Sequence, residues 1–117
     1  MSANEIQTYG VFGLIAAFMI WKFLKNRRIR LQLSSLPGQD ALIVDVRSPG
    51  EFRMGANPKS INIPLDQFQA KLATLSSDKT IILCCASGAR SGTAASILKK
   101  VGFKNVINAG SWQNTLG

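Results

Sequence analysis

Residue types and spacing that could do chemistry occur together in one segment of this 117-residue chain, Cys84-Cys85-Ala86-Ser87-Gly88-Ala89-Arg90-Ser91. A thiol at the end of an apolar run, followed by a glycine-containing turn and the start of a helix, is arranged to ionise. Successive peptide N–H groups in such a turn form an anion nest, and the helix adds the positive end of its dipole. Arg90 adds a full charge. Together these lower a cysteine pKa from about 8.5 toward neutrality, so the thiolate becomes a nucleophile without a neighbouring base. That matters because the chain contains no histidine. Ser-His-Asp and Cys-His pairs, His-ligated zinc and haem on a proximal His are therefore excluded. Two cysteines cannot form a Cys₄ metal site, so neither a metal nor a cofactor is expected. Being adjacent, they are also poorly placed for an ordinary disulfide, and a reducing compartment suits them better.

Cys85 is the expected nucleophile, with Ala86, Ser87, Gly88, Ala89 and Arg90 forming the loop around its sulfur. Arg90 could cradle an anion there, or brace the loop by pairing with Asp45 or Glu51. Asp45, Arg47 and Ser91 are expected behind the loop as supports, and Trp112 as packing. Cys84, the last residue of its strand, should point to the opposite face as a core residue, with a resolving thiol as the alternative role.

The elements that hold this loop alternate between strand and helix. Ala41–Val46 and Thr80–Cys84 are short apolar runs suited to strands buried on both faces. Ser48-Pro49-Gly50-Glu51 reads as a capping box that opens a brief helix. Ile61–Ile63 is a further strand. Leu65, Phe68, Leu72 and Leu75 share one helical face. Ser91–Val101 is a helix with Ala94, Ile97, Leu98 and Val101 inward and Gly102 at its end, and Asn105–Ala109 is the last strand. This order predicts βαβ crossovers and a mainly parallel sheet with helices on both faces. Ligands then bind beyond the carboxyl ends of the strands, where the cysteine loop lies.

The formal charge is +8, but five of the cations (Lys22, Lys25, Arg27, Arg28, Arg30) fall within nine residues. The rest of the chain is only mildly basic and shows no recognition helix or RNA-binding pattern, so no nucleic-acid partner is expected. The basic cluster follows Ile6–Leu24, which carries a single charge at Lys22 and reaches roughly 28 Å as a helix, near the ~30 Å hydrocarbon thickness. Tyr9, Trp21 and Phe23 stand near its ends as interface anchors. A cleaved signal peptide fits less well, because the cations follow the apolar run rather than precede it. A single-pass membrane helix over residues 6–24 is expected. Residues 22–30 should then meet lipid head groups, with the N-terminus outside and the domain in the cytoplasm beneath an inner membrane. Gly13 and Ala17 could let two such helices meet as a weak dimer.

Cys-Ala-Ser-Gly-Ala-Arg-Ser resembles the active-site loop of rhodanese-like sulfurtransferases. Leu42-Ile43-Val44-Asp45-Val46-Arg47-Ser48-Pro49-Gly50-Glu51-Phe52 is similar to the family's Asp-Val-Arg-x-Pro-x-Glu-Phe signature. Ser60-Ile61-Asn62-Ile63-Pro64-Leu65 matches its Ala-Ile-Asn-Ile-Pro-Leu segment, and Asn108-Ala109-Gly110 its glycine-rich turn. Gly55-Ala56-Asn57-Pro58-Lys59 and Gly110-Ser111-Trp112 depart from the family pattern, the C-terminal helix is clipped, and the family's first strand and helix have no clear counterpart before Ala41. The resemblance implies a rhodanese-like fold over residues 37–117, after an anchor at 1–24 and a basic juxtamembrane linker at 25–36. It further implies transfer of sulfane sulfur from a small anionic donor such as thiosulfate, through a Cys85 persulfide, to cyanide, a thiol or a protein cysteine. A binding or sulfur-carrier module without turnover is the alternative. Counted from Cys84, the segment also has the Cys-x₅-Arg-Ser spacing of protein-tyrosine-type phosphatases, but their usual glycine falls at Ser87 and their preceding histidine at Leu83.

Overall fold

The computed structural model describes residues 3–34 and 41–116. Its elements, in order, are α1 (Ala3–Ser34), β1 (Ala41–Asp45), α2 (Pro49–Met54), β2 (Ile61–Asn62), α3 (Leu65–Phe68), β3 (Thr80–Cys85), α4 (Ala89–Lys100) and β4 (Val106–Ser111). Two 3₁₀ turns complete them, Gln69–Thr74 after α3 and Trp112–Leu116 at the end. The four strands form one sheet in the order β2-β1-β3-β4, and every pairing is parallel. This is the α/β arrangement that the alternating pattern predicts.

The expected capping box opens α2. Ser48 Oγ accepts from the Glu51 N–H, and Glu51 Oε1 accepts from the Ser48 N–H. The expected helix over Leu65–Leu75 tightens after Phe68 into a 3₁₀ turn. Leu75 is still buried in the core and Leu72 packs against it, as expected of the shared face.

At the end of α4 the structure corrects one core residue. Val101 is 57% exposed, and Phe103 is buried instead. Gly102 takes a left-handed φ of 102°, its N–H bonds the Lys99 carbonyl, and the Phe103 N–H bonds the Leu98 carbonyl. That is a Schellman ending, in which the chain reverses and sends the second residue past the helix back onto it.

One face of the sheet packs against α3 and α4, with Val44, Ile81, Leu83, Cys85, Phe68, Ala94 and Leu98 at its centre. The other face presents Ile82, Cys84 and Ala109. It is covered by Ile29 and Leu33 of α1, together with Trp112. The segment expected as a linker is therefore helical through Ser34, and its last turns are part of the domain's packing. The end of the expected linker, residues 35 and 36, lies outside the described residues, as does the start of the expected domain at 37–40.

The earlier part of α1 differs. Its large apolar residues from Ile6 to Leu24 are all exposed. Asn4–Leu33 is one helix long and apolar enough to cross a membrane.

Candidate active site

β3 ends on the two cysteines, and strand alternation sends them to opposite faces. Cys84 is fully buried among Ile82, Ala109, Ile29 and Leu33. Burial, with the Asp45 carboxylate nearby, pushes its thiol up to about 12. Such a sulfur stays protonated, the reverse of what a Cys84 nucleophile needs.

Cys85 faces the other way, at the floor of the loop. Burial raises its thiol, but the Ser91 hydroxyl and the N–H groups of Ser91, Gly88 and Ser87 more than offset that, and hold it below the ordinary thiol value. The Gly88 N–H stands 2.9 Å from Sγ, and Ser91 Oγ stands 3.4 Å away. Three peptide dipoles and a hydroxyl therefore converge on one sulfur, in surroundings that screen them poorly.

Gly88 makes this turn possible. It caps α4 with φ 108°, and a Cβ there would stand 3.2 Å from the Gly110 Cα. Replacement by alanine should combine left-handed strain with backbone crowding, at a cost of about 1–3 kcal/mol. The check is chemical denaturation of Gly88→Ala beside the parent chain, and the expected outcome is a lower midpoint at unchanged slope.

β4 latches the loop from the side. Between Asn108, opposite Leu83, and Gly110, opposite Cys84, the strand carries one extra residue, Ala109. The bulge re-aims the strand beside the loop. Asn108 Nδ2 donates to the Gly88 carbonyl (3.1 Å), and its Oδ1 accepts from the Gly110 N–H (3.0 Å). These two backbone partners fix which way the amide points. Asn108 Oδ1 also lies 2.6 Å from Ser91 Oγ, so it must take the single hydroxyl hydrogen of Ser91.

The two carboxylate–arginine pairs have separate tasks. Arg90 is paired with Glu51 through two bonds, Nη1 to Oε1 (2.7 Å) and Nη2 to Oε2 (3.0 Å). The Arg90 guanidinium, followed by the Ser48 N–H, holds the Glu51 carboxyl down at about 2. This is the bracing arrangement for Arg90, made with Glu51 and not with Asp45. Asp45 instead takes Arg47 in a buried pair at 2.8 Å, and Arg47 also donates to the Gly55 carbonyl. The guanidinium of Arg47 lies 5.0 Å from the centre of the Trp112 ring. This network ties the end of β1 to the turn after α2.

The structure thus gathers Ser87, Gly88 and Ser91 at the Cys85 sulfur. Arg90 faces Glu51, Ala86 is exposed, and Ala89 begins α4. Asp45 and Arg47 stand behind the sheet end. Glu51 as Arg90's partner was one of two expected choices, whereas Asn108 was expected only as part of a turn. No cluster of three metal-ligating side chains occurs among the described residues. Hollows flank the loop on two sides. One of about 370 Å³ lies by Arg90, Ser48, Asp66 and Pro64. The other, of about 420 Å³, separates the loop from α1.

Residues 31–115 match the model of the rhodanese-like domain. A sulfurtransferase of Allochromatium vinosum is 31% identical over 70 residues, covering 60% of this chain and 65% of that protein. A putative mitochondrial thiosulfate sulfurtransferase of Schizosaccharomyces pombe is 38% identical over 96 residues, with 68% of each chain covered. Among solved structures, a rhodanese with anions from E. coli superposes with a TM-score of 0.60 at 32% identity, over 63% of this chain and 89% of that one. The matched range begins at Leu31, inside α1, in agreement with the packing of that helix's end on the sheet.

Proposed function

This chain belongs to the rhodanese-like domain family, and on that premise we propose that it is a thiosulfate-type sulfurtransferase working through a persulfide on Cys85. The observation that carries the proposal is the convergence of the Gly88 N–H (2.9 Å) and its neighbouring donors on a sulfur held below the ordinary thiol value. The Cys85 thiolate attacks the outer sulfur of thiosulfate. A new sulfur–sulfur bond forms, the bond within the donor breaks, and its electron pair leaves with sulfite. Cys85 is left as a persulfide anion whose charge is spread toward the same donors. An acceptor such as cyanide or a thiolate then attacks the outer sulfur, and the electron pair returns to Sγ. No step needs a general base, consistent with a chain that lacks histidine.

Ser91 and Asn108 set the state of that sulfur. While Ser91 gives its hydrogen to Asn108, its oxygen can only accept, so it suits the protonated thiol. When Sγ ionises, rotation of the hydroxyl toward the sulfur stabilises the thiolate. Activity should therefore rise with pH through the Cys85 pKa and level off above it. Ser91→Ala removes a group that favours the charged form, so its rise should move to higher pH, and Ser91→Thr should restore it. Profiles of kcat/KM against pH for the three chains provide the check.

In this reading α1 anchors the protein in the inner membrane as a single pass, with the domain on the cytoplasmic side. The exposed apolar surface of Ile6–Leu24 and the cations that follow it support that placement. The function is tested by a thiosulfate:cyanide assay on the full chain in nanodiscs, where thiocyanate formation is expected. Hydrolysis of a phosphate ester in its place would overturn the reading.

A further inference from the structure

α1 runs against the direction of the strands. Its Leu33 lines a hollow with Ala41 and Ile43 of β1. A Cβ on Gly110, late in β4, would stand 4.0 Å from Ile29 Cδ1, and Phe18, Trp21, Lys22 and Lys25 share a cavity with Ser87 and Gly88 beyond β3. The loop-bearing ends of the strands therefore point back along α1 toward its apolar span. With α1 as the single-pass anchor proposed above, that end of the domain lies against the membrane surface. Along a helix rising 1.5 Å per residue, Phe18 lies about 9 Å inside the span's end at Leu24, and Asn26 about 3 Å beyond it. The cavity they line stands at head-group depth.

The cavity is held in place, and its walls are divided chemically. Ile29 and Leu33 pack on the sheet, and Asn114 Nδ2 donates to Asn26 Oδ1 at 3.3 Å. Phe18 and Trp21, with ring centres 6.1 Å apart, form an apolar side at the deeper end. Lys22 and Lys25, spaced as neighbours on one helix face, bring two positive charges, and no carboxylate lines the space. Lys25 Nζ lies 5.0 Å from the Trp21 ring centre, a contact that keeps its charge beside the cavity. The other cations of the segment, Arg27, Arg28 and Arg30, are exposed and line no part of it. Opposite the lysines stand Gly88 and Asn108, the pair that latches the cysteine loop.

We propose that this cavity seats the head group of one anionic phospholipid, with its phosphate at Lys22 and Lys25 and the start of its acyl chains against Phe18 and Trp21. A dissolved anion has no use for the aromatic side, whereas a lipid presents both halves in this order. A zwitterionic head group would bring an ammonium to a wall of two lysines without a carboxylate, so a net negative lipid such as phosphatidylglycerol fits better. The volume of about 420 Å³ falls within the ~300–1,000 Å³ of small-molecule sites. The inference rests on the anchor reading of α1 and is independent of the reaction at Cys85. It gives the loop-bearing end of the domain a fixed lipid contact beside the loop's latch.

The test uses the full chain in nanodiscs of phosphatidylcholine and phosphatidylglycerol in equal parts, with native mass spectrometry of the released protein to read which lipid stays bound. The parent should retain a single lipid, with phosphatidylglycerol favoured about tenfold over phosphatidylcholine. Lys22→Gln/Lys25→Gln should lose that preference and Lys22→Arg/Lys25→Arg should keep it. Arg27→Gln/Arg28→Gln should keep it too, because those cations lie outside the cavity. No preference in the parent overturns the proposal. So does an equal loss in the lysine-to-glutamine and arginine-to-glutamine variants, because the attraction would then be spread over the whole basic segment. Displacement of the lipid by millimolar inorganic phosphate also overturns it, since a free anion would then be the occupant. A chain that stays outside the nanodiscs overturns the anchor reading as well, an outcome distinct from entry without lipid preference.

Discussion

Cys85→Ser should abolish sulfur transfer, with kcat/KM falling by at least about a thousandfold, while the chain stays folded. An activated nucleophile that forms the covalent intermediate has no substitute in the site, and losses of this order follow its removal. Serine is close to isosteric with cysteine, and its Oγ would meet the same Gly88 N–H and Ser91 hydroxyl, so no buried polar atom is stranded. The adjacent substitution should behave in the opposite way. Cys84→Ser places a hydroxyl among Ile82, Ala109, Ile29 and Leu33, where burying it without a partner costs about 1–3 kcal/mol. That chain should be less stable and yet active. Thiocyanate formation, measured beside a denaturation curve for each variant, separates the two cysteines by consequence.

Asp45→Ala should be the most destabilising single change in the domain. Asp45 is fully buried and Arg47 is 5% exposed. The carboxylate accepts from the Arg47 N–H, Nε and Nη2 at 2.8–3.0 Å. Its removal leaves a buried guanidinium with only the Gly55 carbonyl as a partner among these bonds, and breaking such a pair from one side costs about 3–5 kcal/mol. Against a typical domain stability of about 5–15 kcal/mol, that is a large share. Asp45→Asn keeps an oxygen acceptor and should lose less. The order parent, Asn, Ala in denaturation midpoint is the expected result, and equal midpoints for parent and Ala would show that the pair contributes nothing net.

The elements around the site were legible where one local rule decides them. The Ser48–Glu51 capping box, the apolar strands, and the opposite facing of Cys84 and Cys85 each follow from short-range periodicity or from a cap. Features that depend on distant partners were not. The cation-rich segment after Lys22 reads as a linker because its charges dominate its composition, yet Ile29 and Leu33 cover a sheet face that only the folded chain presents. Val101 continues the helical spacing, but the turn at Gly102 hands its place in the core to Phe103. Asn108 acquires its role from a bulge that exists only once β4 pairs with β3. Asparagine two residues before a glycine at a strand end is the sole local signal for it. Arg90 had two carboxylates in prospect, and the choice of Glu51 is visible only in the folded chain, where the two side chains meet at 2.7 Å across 39 residues of sequence.

The central claim, that sulfur is carried on Cys85, is tested most directly by the intact mass of the full Cys84→Ser chain after exposure to thiosulfate. The account predicts a gain of about 32 Da for one sulfur atom, located on Cys85 by peptide mapping, lost when cyanide is added and absent from Cys85→Ser. A chain that turns over thiosulfate while showing no adduct on Cys85, or an adduct that survives Cys85→Ser, would contradict it.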